Sequence, residues 1–152
     1  MSSWPIRNAV PAERPRLRDI HWQASLNNEG DRAALLAGGE EYALPDRPLD
    51  EGRVRVATDA GGTIVGFATT LAADGALELE DLFVDPEWMR RGIATALIRD
   101  AMEFARRAGV RRIDVTGNPH ALAFYESVGF VADREVATTF GVGLRMHLDV
   151  DG

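Results

Sequence analysis

Cysteine is absent from the 152 residues, and so is lysine: all 17 basic residues are arginine. Without cysteine there is no disulfide framework, no thiolate nucleophile and no cysteine-based metal site. The lack of disulfides fits a cytoplasmic protein. Without lysine, the amino terminus is the only amine the chain could modify on itself. Histidine is scarce as well. His21, His120 and His147 stand far apart with no ligand spacing between them, so no metal is expected. No run approaches the roughly 20 apolar residues of a membrane span, and the opening residues lack the apolar core of a signal peptide. Neither membrane insertion nor export is therefore expected. A net charge of −7 opposes general binding to nucleic acid, where phosphate neutralisation supplies most of the affinity.

What is present reads as one compact α+β domain over residues 1–152, with no internal repeat and no linker. Ile6 to Val10 is a short first strand closed by Pro11. A helix over Pro11 to Leu26 follows, its regular part after Pro15, with Leu17, Ile20, His21 and Ala24 at helical spacing. Asp31 is placed to cap a helix over Arg32 to Ala37. Gly38 to Gly52 reads as a loop or a frayed second helix. Arg53 to Thr58 and Thr63 to Leu71 flank the turn Asp59-Ala60-Gly61-Gly62 as a hairpin. The chain closes with strands over Phe130 to Thr138 and Leu144 to Val150.

Between them runs the stretch Leu77 to Phe130. Its first strand changes phase: Leu77 and Leu79 share one face, Leu82 and Val84 the other. One extra residue near Glu80-Asp81 would restore a single apolar face, and such a residue is a β-bulge, which leaves backbone groups unpaired and open to a ligand. A strand buried on both faces at one end would produce the same letters.

Gly92 to Ala108 is an amphipathic helix: Ile93, Leu97, Ala101 and Ala105 form one stripe, and Gly109 lies just past its end. The first turn of any helix presents unpaired N–H groups and a partial positive charge. Arg90 and Arg91 add two full charges in front of it, Gly92 admits a close approach to the backbone, and no acid follows until Asp100. In an acidic protein this local inversion points to a phosphate-bearing ligand.

Two segments then resemble the GNAT superfamily of N-acetyltransferases. Met89-Arg90-Arg91-Gly92-Ile93-Ala94 is similar to the family's [Gln/Arg]-x-x-Gly-x-[Gly/Ala] turn, with Met89 in place of the usual Gln or Arg. Asn118-Pro119-His120-Ala121-Leu122-Ala123-Phe124-Tyr125-Glu126-Ser127-Val128-Gly129-Phe130 agrees with the family's Asn-x-x-Ala-x-x-Phe-Tyr-x-x-x-Gly-Phe at every named position. The resemblance implies a mixed, mostly antiparallel sheet whose central parallel pair splays at a bulge, with helices on both faces. It implies acetyl-CoA as co-substrate and no metal. The diphosphate would lie against Arg90, Arg91, Gly92, Ile93, Ala94 and Thr95, and the pantetheine arm beside Asn118. The thioester would sit near Tyr125, with its oxyanion met by an amide among Leu82, Phe83 and Val84.

Chemically, direct attack of a bound amine on the thioester needs a neutral amine, a stabilised oxyanion and a proton for the thiolate. Tyr125, with an ordinary phenol pKa near 10, suits the last task. Glu80 is the first choice of base and Glu78 the second, acting through water or with a pKa raised by burial. His21 and His120 stand behind them. The expected acceptor is an amine on a small molecule or peptide, and the acidic balance favours a cationic one. The last strand has an edge that a second subunit could use, as in a homodimer. Two other readings remain open: a non-catalytic acyl-CoA-binding or sensing module on the same scaffold, and an arginine-fronted site for another phosphate ligand.

Overall fold

The computed structural model describes residues 4–27, 44–138 and 141–150, together with Arg32 and Leu36. Among these, seven strands form one sheet: β1 (Ile6–Asn8), β2 (Val54–Thr58), β3 (Ile64–Ala73), β4 (Ala76–Val84), β5 (Arg112–Gly117), β6 (Val131–Thr138) and β7 (Gly141–Asp149). Their order is β1-β2-β3-β4-β5-β7-β6. Every pair is antiparallel except β4 and β5, which run parallel through Leu77↔Ile113, Glu78↔Asp114 and Leu79↔Val115. A parallel pair needs a long crossover, and the helix α3 (Ile93–Arg107) supplies it. The other helices are α1 (Arg14–Asn27), α2 (Arg47–Asp50) and α4 (Leu122–Ser127). No helix among the described residues is long and apolar enough to cross a membrane.

The helices pack on two separate apolar clusters. α1 and α2 bury Leu17, Ile20 and Leu49 against Val54, Val56 and Phe67. α3 buries Ile93, Leu97, Ile98, Ala101 and Ala105 with Leu77, Leu79, Ile113, Val115 and Met146. Full burial of each of the larger of these side chains contributes about 1.5–3 kcal/mol before entropy is counted. Pro15 lies in the first turn of α1, where its missing N–H costs nothing, so the helix begins one residue before it. α3 ends in a Schellman cap: Gly109 at φ 73° donates to the Arg106 carbonyl, and Val110 donates to that of Ala105. The expected helix capped by Asp31 lies outside the described residues except for Arg32 and Leu36. Of the Gly38 to Gly52 stretch, the described part contains α2.

The phase change in β4 is a bulge. Thr69 pairs with Asp81 and Thr70 with Leu79, so Glu80 is the extra residue. Leu77 and Leu79 are buried in the α3 cluster, and Leu82 and Val84 pack against the same cluster. Phe83 instead joins the cluster under α1. One inserted residue has restored one apolar face through Leu77, Leu79, Leu82 and Val84, and past the bulge Phe83 adds apolar contact on the opposite face. The parallel pairing of β4 with β5 stops at Leu79, just before the bulge. Beyond that point the two strands part.

Candidate functional site

A cavity of roughly 760 Å³ opens where β4 and β5 separate. Of the residues singled out from sequence, Glu80, Leu82, Phe83, Val84, Arg90, Gly92, Ile93, Ala94, Thr95, Asn118 and Tyr125 line it. Glu80 and Tyr125, 45 residues apart in sequence, are thus brought to one space by the α3 crossover.

One end of the cavity is the turn into α3. Asp85 opens it with both carboxylate oxygens engaged: one accepts the Glu87 N–H at 3.0 Å, the other the Arg16 guanidinium of α1 at 2.7 Å. Pro86–Trp88 forms a single 3₁₀ turn. Arg90 then takes φ 64° and Gly92 φ 83°, both left-handed. For arginine this conformation costs roughly 1–2 kcal/mol. The first ladder bond of the helix runs from Ala96 N–H to the Gly92 carbonyl at 3.0 Å, so the amides of Ile93, Ala94 and Thr95 precede the ladder. With Arg90 beside them, they form an anion-receiving end. Arg91, also expected there, does not line the cavity; its guanidinium lies 5.0 Å over the Trp88 ring.

The middle of the cavity is the open edge of β4. Asp85 N–H donates to the Val65 carbonyl, facing β3. Alternation along the strand then turns Phe83 toward β3 as well. It directs the amides of Leu82 and Val84 away from β3, into the gap where β5 has left. The Phe83 side chain packs under α1, 5.7 Å from the Phe67 ring and 4.9 Å from that of His21.

Tyr125 closes the far side. It is 7% exposed, wedged edge-on between Phe124 and Phe130, with each ring centroid at 5.3 Å. Its seat depends on Gly117: a Cβ there would fall 3.1 Å from the Tyr125 ring and 2.8 Å from Met146 Cε. Asn118 Oδ1 accepts the His120 N–H at 2.9 Å, capping the turn before α4, and the residue lines the cavity.

The carboxylates around the bulge differ in their partners. Glu78 is held by Arg145 through two bonds of 2.7 Å. Glu80 is 2.6 Å from Arg53. Asp81, which sequence reasoning passed over, also lines the cavity, and burial pushes its carboxyl up to about 6. A hydrogen bond from Thr69 and the charge of Arg53 only partly offset that rise. An acid just past a bulge, inside an apolar run, was the available signal. Trp88, Gly117, Ala24 and Asn27 also contribute to the cavity without having been singled out. His21 is buried beside Phe83, and His147 pairs with Asp133 at 2.8 Å.

The sequence model of the acetyltransferase (GNAT) family matches residues 14–130. The chain belongs to the GNAT acetyltransferase family. A stretch of 80 residues, 49% of this chain, is 42% identical to the N-alpha-acetyltransferase RimI of Mycobacterium tuberculosis and covers 50% of that protein. The chain spans half or less of the length of the first curated relatives it matches. A crystal structure of a GCN5-related N-acetyltransferase from Rhodopseudomonas palustris has the same fold, with a TM-score of 0.81 at 22% identity over 98% of this chain and 97% of its own. The PaiA N-acetyltransferase of Thermoplasma acidophilum, solved in complex with coenzyme A, superimposes with a TM-score of 0.73 at 16% identity, covering 97% and 99%. In GNAT terms the cavity lies along the family's splayed parallel pair. Met89, the residue departing from the family motif, lines the cavity and is 47% exposed.

Proposed function

We propose that the chain is an acetyl-CoA-dependent N-acetyltransferase that moves the acetyl group directly to a bound amine. The observation carrying this reading is the continuity of one cavity from the Arg90-to-Thr95 turn, past the unpaired edge of β4, to Tyr125. Acetyl-CoA fits that sequence of groups: anion-receiving amides at one end, strand-like amides in the middle, a phenol at the other. When bound, it supplies the thioester that the amine nitrogen attacks, the C–S bond breaking as the amide forms.

The protein's own groups then have separate tasks. Arg90 and the amides of Gly92 to Thr95 hold the diphosphate. Asn118 and the β4 edge orient the pantetheine arm, and the Leu82 or Val84 amide meets the developing oxyanion. A single preorganised donor of that kind is worth about 10²–10³ in rate. Tyr125 gives the departing sulfur its proton. At the bulge, this reading assigns the base to Asp81, whose buried carboxyl is pushed up to about 6 and so accepts a proton from an ammonium better than an ordinary acid. Glu80, held by Arg53, lies beside it and adds negative charge. The acceptor is an amine on a small molecule or peptide, and this pair of carboxylates favours a cationic one.

The test is a thiol-release assay with acetyl-CoA over a panel of amines, alongside calorimetric titration with CoA and with ADP. Amine-dependent thiol release supports the enzyme. Binding of acetyl-CoA without release for any amine indicates a sensing module. ADP binding as tightly as acetyl-CoA indicates a site for another phosphate ligand.

A further inference from the structure

Trp4 lies in the segment leading into β1, 87 residues before the turn it touches. Its indole N–H donates to the Arg91 carbonyl at 3.1 Å. The same ring stands edge-on to Trp88, with centroids 5.9 Å apart and planes at 86°, and Trp88 in turn carries the Arg91 guanidinium over its face. Trp4 does not line the cavity, whereas Trp88, Arg90 and Gly92 do. It therefore acts on the turn from behind.

We propose that Trp4 is a positioning residue for the diphosphate-receiving turn, pinning the Arg91–Gly92 peptide so that the Gly92 N–H faces the cavity. In a planar trans peptide the C=O and the following N–H point in opposite directions, so fixing one aims the other. Holding is needed here because Arg90 and Gly92, on either side of Arg91, are both left-handed, and an arginine in that region is strained. The indole bond and the Trp4–Trp88–Arg91 stack hold the strained arrangement. They also explain why Arg91 acts as a brace and leaves Arg90 to face the ligand. This inference rests on the reading of the cavity as an acetyl-CoA site.

The experiment compares the wild-type protein with Trp4→Phe, which keeps an aromatic ring against Trp88 and deletes the N–H. CoA affinity is measured by calorimetry. Steady-state kinetics use two donors, acetyl-CoA and S-acetylpantetheine, the second lacking the diphosphate. The expected result is a five- to tenfold weaker Kd for CoA and a matching rise in KM for acetyl-CoA, about the loss of one hydrogen bond. The kcat at saturation should stay within about twofold, and kcat/KM for S-acetylpantetheine should be unchanged, because that donor never reaches the turn. Unchanged CoA affinity, or an equal loss with both donors, overturns the proposal. Failure of the wild-type protein to bind CoA overturns the functional reading and this inference with it. Should Trp4→Phe not fold, benzothienylalanine at position 4 preserves the indole shape without the N–H and answers the same question.

Discussion

Arg53 donates to Glu80 across 2.6 Å, so the carboxylate of the bulge residue carries a guanidinium partner at the edge of the cavity. The pair is partly exposed, 19% and 34% by side chain, so its net stabilisation is about 0.5–1 kcal/mol. Glu80→Gln should therefore lower stability by no more than that, and kcat by less than about tenfold, where loss of an acid–base residue costs 10²–10⁴. Urea denaturation and steady-state rates check both. A loss of 10²-fold or more in kcat would return the base to Glu80.

Asp81 gives the sharpest pH dependence. Its folded-state value of about 6 lies above the ordinary 3.8 because burial disfavours the charged form. Between those values the folded state binds more protons than the unfolded one, so stability falls as pH rises. The stabilisation is complete below about pH 4 and lost through pH 6. Asp81→Asn should then be more stable than wild type at pH 8, by on the order of 2–3 kcal/mol, and equal to it near pH 4. Its rate should drop about 10²-fold or more, and the rise of kcat/KM through pH 6 should vanish. Denaturation at two pH values and a pH–rate profile test the two halves independently.

Tyr125→Phe keeps the ring contacts with Phe124 and Phe130 and removes only the hydroxyl. The expected change is a fall in kcat of about 10²-fold with KM for acetyl-CoA within about twofold, the pattern of a group used only in the transition state. Turnover at the wild-type rate would exclude the phenol as proton donor.

Gly117→Ala places a methyl 3.1 Å from the Tyr125 ring and 2.8 Å from the tip of Met146. The flexible Met146 end gives way, and the ring is displaced by a few tenths of an ångström. Overpacking of this kind costs about 1–2 kcal/mol, and misplacing a reacting group costs more in rate. We expect about a tenfold loss of kcat with a fall in melting temperature of only a few degrees. A variant that loses stability but keeps its full rate would show that the position of the ring is not critical.

The β2–β3 hairpin and the α3 stripe with the glycine just past its end were legible in the sequence alone, and the bulge was one of two readings of the phase change in β4. Each is decided by residues within a few positions of one another, through alternation, helical periodicity, capping or the conformational freedom of glycine. The turn into α3 was legible for the same reason, since its amides belong to a helix start visible at Gly92.

The pairings were not legible. Arg53 meets Glu80, Arg145 meets Glu78, Trp4 meets Arg91, and Arg91 leaves the cavity for Trp88, and of these only the last is local. Local order in the chain dictated the elements and the amides they expose. Which carboxylate is buried enough to shift depended on strands and helices distant in sequence coming together, because charge and desolvation act through space.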